Sequence, residues 1–381
     1  MPVGMTDLRL ALSPMVTCSD ASPTGCGVCR SAAVTPAGHR ALAEFQREVA
    51  PRDVKEWGLV SIFDGIGGLR RSCELLGCEP DVYISCELDA HAKRVVEHRW
   101  PSAVQVNDAS EVTEDFFKKI RLQYPSIGLW LVGGGFPCQQ YSSLNVHGEG
   151  IESQEGQLAL HLPRVANLLK QLHPEATVEV FGECVSSMKP EDLISLNKLF
   201  QVTAMRACPS TVSHVARPRL YWFKWRVPSK AKALVVKRKL MKQFCIQGPK
   251  PRLDSWIKAG WEPVGGESVT LPTFVRAKPR KKPPPAPAGL RTLSPGGRRR
   301  WKADRMRFPP YQYSYRHGLI KKGMKHERVP WRLPDARERE SLLLFPQFHV
   351  QLCFNQADAK KNPEDHETLQ MAMQGNSFHC G

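Results

Sequence analysis

Four residues in this chain have the types and neighbours needed for covalent chemistry. Cys138 follows the run Gly133-Gly134-Gly135-Phe136-Pro137. A glycine-rich strand exit with a proline beside it should leave the thiol exposed, and a thiolate is a strong nucleophile. Most cysteines are small buried hydrophobes, but a Gly-Gly-Gly-Phe-Pro turn is a poor core position. Glu183 closes the apolar run Thr177 to Phe181. A carboxylate there must be hydrogen-bonded or functional. Arg217 and Arg219 alternate just before another apolar run, which puts both on one strand face. Together the four offer a nucleophile, an acid and a cationic clamp for an oxygen.

A second group reads as a small-molecule site. Asp64-Gly65-Ile66-Gly67-Gly68 lets a ligand approach the backbone. A dinucleotide fingerprint would need a third glycine where Arg70 stands, and the Lys-Ser/Thr of a phosphate loop is absent. The loop therefore suits a nucleoside-like cofactor without phosphates. Glu87, about twenty residues on, is placed to accept from a ribose diol, and Asp108 closes the next run. On spacing alone, a plain strand–helix turn explains the glycines equally well.

These residues share one property: each follows a short apolar run. The spacing predicts strands over Trp57 to Phe63, Val82 to Cys86, Val104 to Asn107, Ile127 to Val132, Thr177 to Phe181, Phe200 to Ala207 and Leu220 to Trp225. Leu158, Leu162, Val165, Leu169 and Leu172 keep helical spacing, and Asp335 to Phe345 reads as a late helix. Alternating strands and helices mean a mostly parallel α/β sheet with helices on both faces. Ligands of such sheets bind beyond the carboxyl ends of the strands, which is where the polar residues fall.

Charge adds a partner. The chain of 381 residues carries +17, distributed unevenly. From Lys224 to Leu333 there are 29 Lys and Arg against 5 Asp and Glu, a local net of +24 that leaves −7 for the rest. A basic segment beside a mildly acidic body is the footprint of a polyanion binder. KPRKKPPPAP (Lys278 to Pro287) also reads as basic linker, while Trp256, Trp261, Trp301 and Tyr311 argue that parts of the segment fold. No stretch approaches the about 18 consecutive apolar residues of a membrane span, and Met1 to Leu12 lacks a secretory core. The expectation is a soluble intracellular protein whose twelve cysteines stay reduced. Cys26 and Cys29 form a CxxC near Cys18 and His39, a spacing that fits no firm zinc pattern. We expect no metal, and a flexible arm or short helix over residues 1–54.

Taken in order, the motifs resemble those of the cytosine-C5 DNA methyltransferase family. Phe63-Asp64-Gly65-Ile66-Gly67-Gly68 is similar to its cofactor loop, and Glu87 and Asp108 to the next two motifs. Gly135-Phe136-Pro137-Cys138-Gln139 is similar to its Pro-Cys loop. Gly182-Glu183-Cys184-Val185 resembles its Glu-Asn-Val motif, with Cys184 where Asn is usual. Arg217-Pro218-Arg219 resembles its Arg-x-Arg motif, with Val215 where Gln is frequent. Arg339-Glu340, Phe345-Pro346 and Gly375-Asn376-Ser377 resemble the last two motifs. The texture is nearest to the animal de novo enzymes.

The resemblance implies a Rossmann-like S-adenosylmethionine-dependent methyltransferase fold. Its domain would span residues 55–225, with a small basic target-recognition region over 226–330 and a return to the catalytic domain over 331–381. Cofactor contacts would come from Phe63, Asp64, Gly65, Ile66, Gly67, Gly68, Glu87, Leu88, Asp108, Ala109, Pro137, Asn376 and Ser377. Cys138 would attack C6 of a flipped cytosine, Glu183 would bind N3, and Arg219 with Arg217 would hold O2. The partner would be double-stranded DNA and the compartment the nucleus. An RNA cytosine methyltransferase and a non-catalytic nucleic-acid binder are the alternatives. The family continues past Gly-Asn-Ser into a helix on the sheet, so the stop at Gly381 implies either a fragment or an enzyme with a weakened cofactor pocket.

Overall fold

A computed structural model describes residues 16–22, 25–31, 56–225, 232–235 and 241–245, most of 250–350, and 363–377. Contacts divide the chain into Met1–Lys55 and Glu56–Gly381. In the first unit, strands β1 (Val16–Ser22) and β2 (Gly25–Ser31) form an antiparallel hairpin that sets Cys18 opposite Cys29. An arm or short helix was the expectation there. His39 lies outside the described residues, so the zinc question does too.

The second unit is built on a nine-stranded sheet. Five of its strands are parallel: β3 (Trp57–Ile62), β4 (Val82–Cys86), β5 (Val104–Val106), β6 (Leu129–Gly135) and β7 (Thr177–Val185). They lie in the spatial order β5-β4-β3-β6-β7. The chain winds outward through β3, β4 and β5, then returns to the other side of β3, which opens a crevice between β3 and β6. The sheet continues past β7 through β9 (Arg219–Trp222), antiparallel to both β7 and β8 (Ala204–Ala207). Strands β11 (Met241–Cys245) and β10 (Lys232–Val235) extend that edge.

Alternation along the strands feeds two cores. Leu59 and Tyr83 point to one face, where Leu69 and Cys73 of helix α1 (Gly68–Leu75) and Val96 of α2 (Ala90–Arg99) cover them. Val60, Ile62 and Ile84 point to the other, under Phe117 and Ile120 of α3 (Glu114–Gln123). Leu162, Val165 and Leu169 of α4 (His161–Leu172) and Leu193 and Leu196 of α5 (Pro190–Phe200) complete that core. The sheet thus has helices on both faces, as the sequence implied.

Several boundaries differ from the expectation, among them β6, which runs on to Gly135, and β9, which ends at Trp222. Phe200 ends α5 rather than opening a strand: Pro190 starts the helix, and Gln201, at φ 54°, stops it in the left-handed region. Strand β7 runs four residues past Phe181 because Glu183 and Cys184 pair with Tyr221 and Leu220 of β9.

The basic segment folds where it is described. Trp261–Pro263, Leu319–Lys321 and Trp331–Arg332 make a three-stranded sheet, β12, β13 and β14. Helix α6 (Pro295–Ala303) buries Trp301. Helix α7 (Ala336–Leu342) starts with a reciprocal cap between Asp335 and Glu338, and α8 (Pro363–Asn376) follows. Leu253, Ile257, Leu271 and Phe274 share one apolar core with Ile66, Ala92, Leu342 and Phe345. The basic segment and the C-terminal helices therefore pack against the glycine loop itself. Among the described residues no helix is long and apolar enough to cross a membrane.

Candidate active site

A cavity of about 270 Å³ opens at the carboxyl ends of β3 to β7. Two glycines beside it are there for close approach. A Cβ on Gly134 would lie 2.0 Å from the Ile62 carbonyl oxygen, so only glycine lets β6 sit this near β3. Gly67, at φ 77°, rests on the Trp100 ring, where a Cβ would come within 2.1 Å.

One end of the cavity is acidic and apolar. The Glu87 carboxylate accepts from Gly65 N–H at 2.8 Å and from Asp89 N–H at 2.9 Å. One bond falls on each oxygen, so both keep a lone pair for a vicinal diol. Asp108 accepts from the Ser110 N–H and hydroxyl through Oδ1. Those bonds hold its carboxyl below the usual carboxylate range, and it presents an anion. Phe63, Ile66 and Leu158 supply apolar wall between them. The His161 ring meets Phe63 edge-on, with centroids 6.4 Å apart. Two carboxylates and an apolar slot suit a nucleoside and repel phosphate, which fits S-adenosylmethionine.

The other end holds the reactive groups. Phe136 anchors the loop by packing among Tyr141, Phe200 and Trp222, with centroids 5.7, 6.1 and 5.9 Å away. The Tyr141 hydroxyl donates to the Gly156 carbonyl at 2.7 Å. The Cys138 carbonyl accepts from Tyr141 and Ser142 N–H groups, which turns the chain just after the thiol. Burial pushes the Cys138 thiol up; Arg219 and Arg217 pull against that shift, and Glu183 adds to it. Arg219 Nε lies 2.7 Å from Glu183 Oε1, off the line of a straight hydrogen bond.

Not every expected contact is in the cavity wall. Phe63, Gly65, Ile66, Glu87 and Leu88 line it, as do Asp108, Ala109, Pro137 and Cys138, and at the far end Glu183, Arg217 and Arg219. Asp64, Gly67 and Gly68 lie behind it. Asp64 turns inward, accepting from the Tyr83 hydroxyl and from Ser85 at 2.5 Å, so its carboxylate braces the loop and does not face a ligand. Arg217 is buried and donates to the carbonyls of Phe274 and Ser377. It ties the basic segment and the C-terminal segment to β9. Ser377 enters through that carbonyl, and the Asn376 side chain lies outside the described residues. Leu158, Met373 and Gly375 also line the wall. Leu158 had read as helix core, and Met373 carried no signal beyond standing two residues before Gly375.

Burial raises Asp64 to about 6 and Glu340 to about 7. Both exceed ordinary carboxyl values, so the folded state binds the protons more tightly. Their stabilisation is complete below about pH 4 and is lost as pH rises through 6 and 7. The Glu340→Gln variant should therefore lose less melting temperature than the parent between pH 5 and pH 8. A shift of this size corresponds to roughly 3 kcal/mol. Identical melting profiles from pH 5 to 8 would contradict it.

Residues 58–181 match the family model for the C-5 cytosine-specific DNA methylase. No curated protein matches the chain. Among solved structures, a Spodoptera frugiperda DNMT2 mutant is 15% identical with a TM-score of 0.50, covering 85% of this chain and 96% of its own. The Entamoeba histolytica methyltransferase EhMeth is 14% identical with a TM-score of 0.51, covering 86% and 95%. At these identities the two structures speak for the fold. The family match falls on the strands that carry Phe63, Glu87, Asp108 and Cys138. Residues 58–181 are thus similar to the C-5 cytosine-specific DNA methylases, and the match supports methyl transfer from S-adenosylmethionine to cytosine C5.

Proposed function

We propose that this chain methylates cytosine C5 in double-stranded DNA, with Cys138 as the attacking group. The observation that carries the reading is a single cavity joining Cys138, Glu183 and Arg219 to Glu87 and Asp108. S-adenosylmethionine, when bound, supplies a methyl group on a sulfonium. Glu87 would take its ribose diol, Asp108 its adenine amino group, and Phe63 its ring.

Cytosine C5 is a poor nucleophile. Addition of the Cys138 thiolate at C6 moves the ring electrons toward C5, which can then take the methyl. Loss of the C5 proton and of Cys138 restores the ring. Covalent catalysis of this kind divides one hard step into easier ones. Glu183 is placed to hydrogen-bond N3 as it becomes protonated, and Arg219 to hold O2. Arg217 acts through the backbone it fastens.

A stacked base must leave the duplex to reach such a cavity. The loop after Cys138 carries two exposed apolar side chains, Leu144 and Val146. Apolar groups on a loop that leaves the cavity wall at Cys138 and Gln139 suit the space a flipped base vacates. The region 226–330 is the target-recognition candidate. Arg276, Lys278, Arg280, Arg298, Arg299 and Lys302 are exposed along it, and the Arg276 N–H packs on Gly375 at the cavity wall. A nuclear location follows from this substrate and from the KPRKK stretch.

Labelled methyl transfer to duplex DNA, single-stranded DNA and tRNA tests the reading. Label in duplex DNA supports it. Label confined to tRNA would mean that the same Cys138 chemistry serves RNA. No label from folded, nucleic-acid-bound protein would favour a binding relative without catalysis. Binding should fall steeply with salt, and replacing Arg298, Arg299 and Lys302 by Ala should reduce the slope of log K against log salt by about 3. An unchanged slope would remove this face from the interface.

A further inference from the structure

The glycine loop has a floor as well as a ligand face. Gly65 and Ile66 line the cavity with their outer side. Beneath them, the His349 imidazole approaches the Ile66 carbonyl oxygen, Nε2 to O 2.8 Å. A carbonyl can only accept, so Nε2 carries the proton and donates. His349 is wholly buried. Its ring packs between Trp100, at 5.8 Å, and Phe345, at 4.6 Å. Trp100 is the same ring on which Gly67 rests.

The histidine is itself held in place. Glu340 on α7 accepts from the Val350 N–H at 2.8 Å and takes further backbone bonds from Phe348 and His349. Arg71, on the helix that follows the loop, donates to the Leu344 carbonyl at 3.2 Å. The C-terminal segment, which already shares an apolar core with Ile66 through Leu342 and Phe345, thus adds a polar contact under the cofactor loop from 283 residues away in sequence. Burial keeps the imidazole neutral by lowering it to about 4, so the bond is uncharged across the working range.

We propose that His349 is a positioning residue for the cofactor: its Nε2–H fixes the Ile66 carbonyl, and so sets where Gly65 and Ile66 meet the bound nucleoside. The link is mechanical. Gly65 N–H donates to Glu87, so a displaced loop also moves the carboxylate that would take the ribose. The proposal rests on the cofactor reading given above.

The test compares His349→Phe, which keeps a packed ring but no donor, with His349→Gln, whose amide reaches the Nε2 position. Binding of S-adenosylhomocysteine is measured by calorimetry. Hydrogen exchange at the Gly65 to Gly68 amides is measured on unliganded protein. The Phe variant should bind about tenfold more weakly, as expected for a buried carbonyl left without its donor. Exchange in the loop should quicken, while DNA affinity and single-turnover rate at saturating cofactor stay within about threefold. The Gln variant should recover most of the binding.

Equal binding and equal exchange in the Phe variant would overturn the proposal. So would a parallel loss of cofactor and DNA affinity that Gln does not rescue, which is what loosened core packing predicts. If the Phe variant does not fold, His349→Gln against His349→Asn makes the same comparison, because the shorter Asn amide reaches only the Nδ1 position. Failure of the cofactor reading has a different signature: the unsubstituted protein would bind no S-adenosylhomocysteine.

Discussion

Replacing Cys138 by Ala should abolish methyl transfer, a loss on the order of 10⁴–10⁶ in rate, as for other nucleophiles that act in a unit. Affinity for S-adenosylhomocysteine should stay within about twofold, because Glu87 and Asp108 stand at the opposite end of the cavity from the thiol. Folding should be unaffected to within about 1 kcal/mol, since one sulfur at a partly exposed position is removed. The parent should also show a sign in pH. Burial raises the Cys138 thiol, so the free enzyme holds mostly thiol at neutral pH. The single-turnover rate should then climb with pH above 7, as the thiolate fraction grows. A flat profile would mean that base entry itself drives deprotonation. Residual transfer above about one per cent in the Ala variant would show that Cys138 is not the nucleophile.

How much of this was legible beforehand depended on range. Glu87, Asp108 and Cys138 were readable because each signal is local: an apolar run, a strand end, a polar residue. The parallel order of β3 to β7 makes all such ends converge, so a one-dimensional pattern became a cavity. Asp64 was misplaced because its direction is decided by Tyr83 and Ser85 on the neighbouring strand, which no local pattern records. Leu158 kept perfect helical spacing and still left the core, because the chain there is a turn of 3-10 helix that precedes α4. Phe200 looked like strand by composition, yet the Pro190 start and the left-handed Gln201 stop fixed a helix around it. His349 had no signal at all. Its partner is a backbone carbonyl, and backbone carbonyls are the same in every residue. The fold of the basic segment was hinted at only by its aromatic content. Its real determinant is the apolar core that Leu253, Leu271 and Phe274 share with Ile66.

Glu183 and Arg219 should prove to be one functional unit. The Glu183→Gln variant keeps the shape of the side chain and loses its charge. It should slow transfer by about 10²–10⁴, the usual worth of acid–base assistance, with cofactor affinity unchanged. The Arg219→Ala variant should do comparable damage by a different route. Glu183 is 8% exposed, and removing the guanidinium 2.7 Å away leaves a buried carboxylate short of its nearest cation. The cost of such an orphan is about 3 kcal/mol in stability, part of which Arg217, behind it, can offset. Combining the two substitutions then gives the decisive comparison. Gln needs no counter-ion, so the double variant should regain most of the stability that Arg219→Ala loses, while transfer stays near the level of the worse single variant. Stability losses that simply add would show that the carboxylate does not depend on Arg219. Rate losses that simply multiply would show that the two residues assist separate steps.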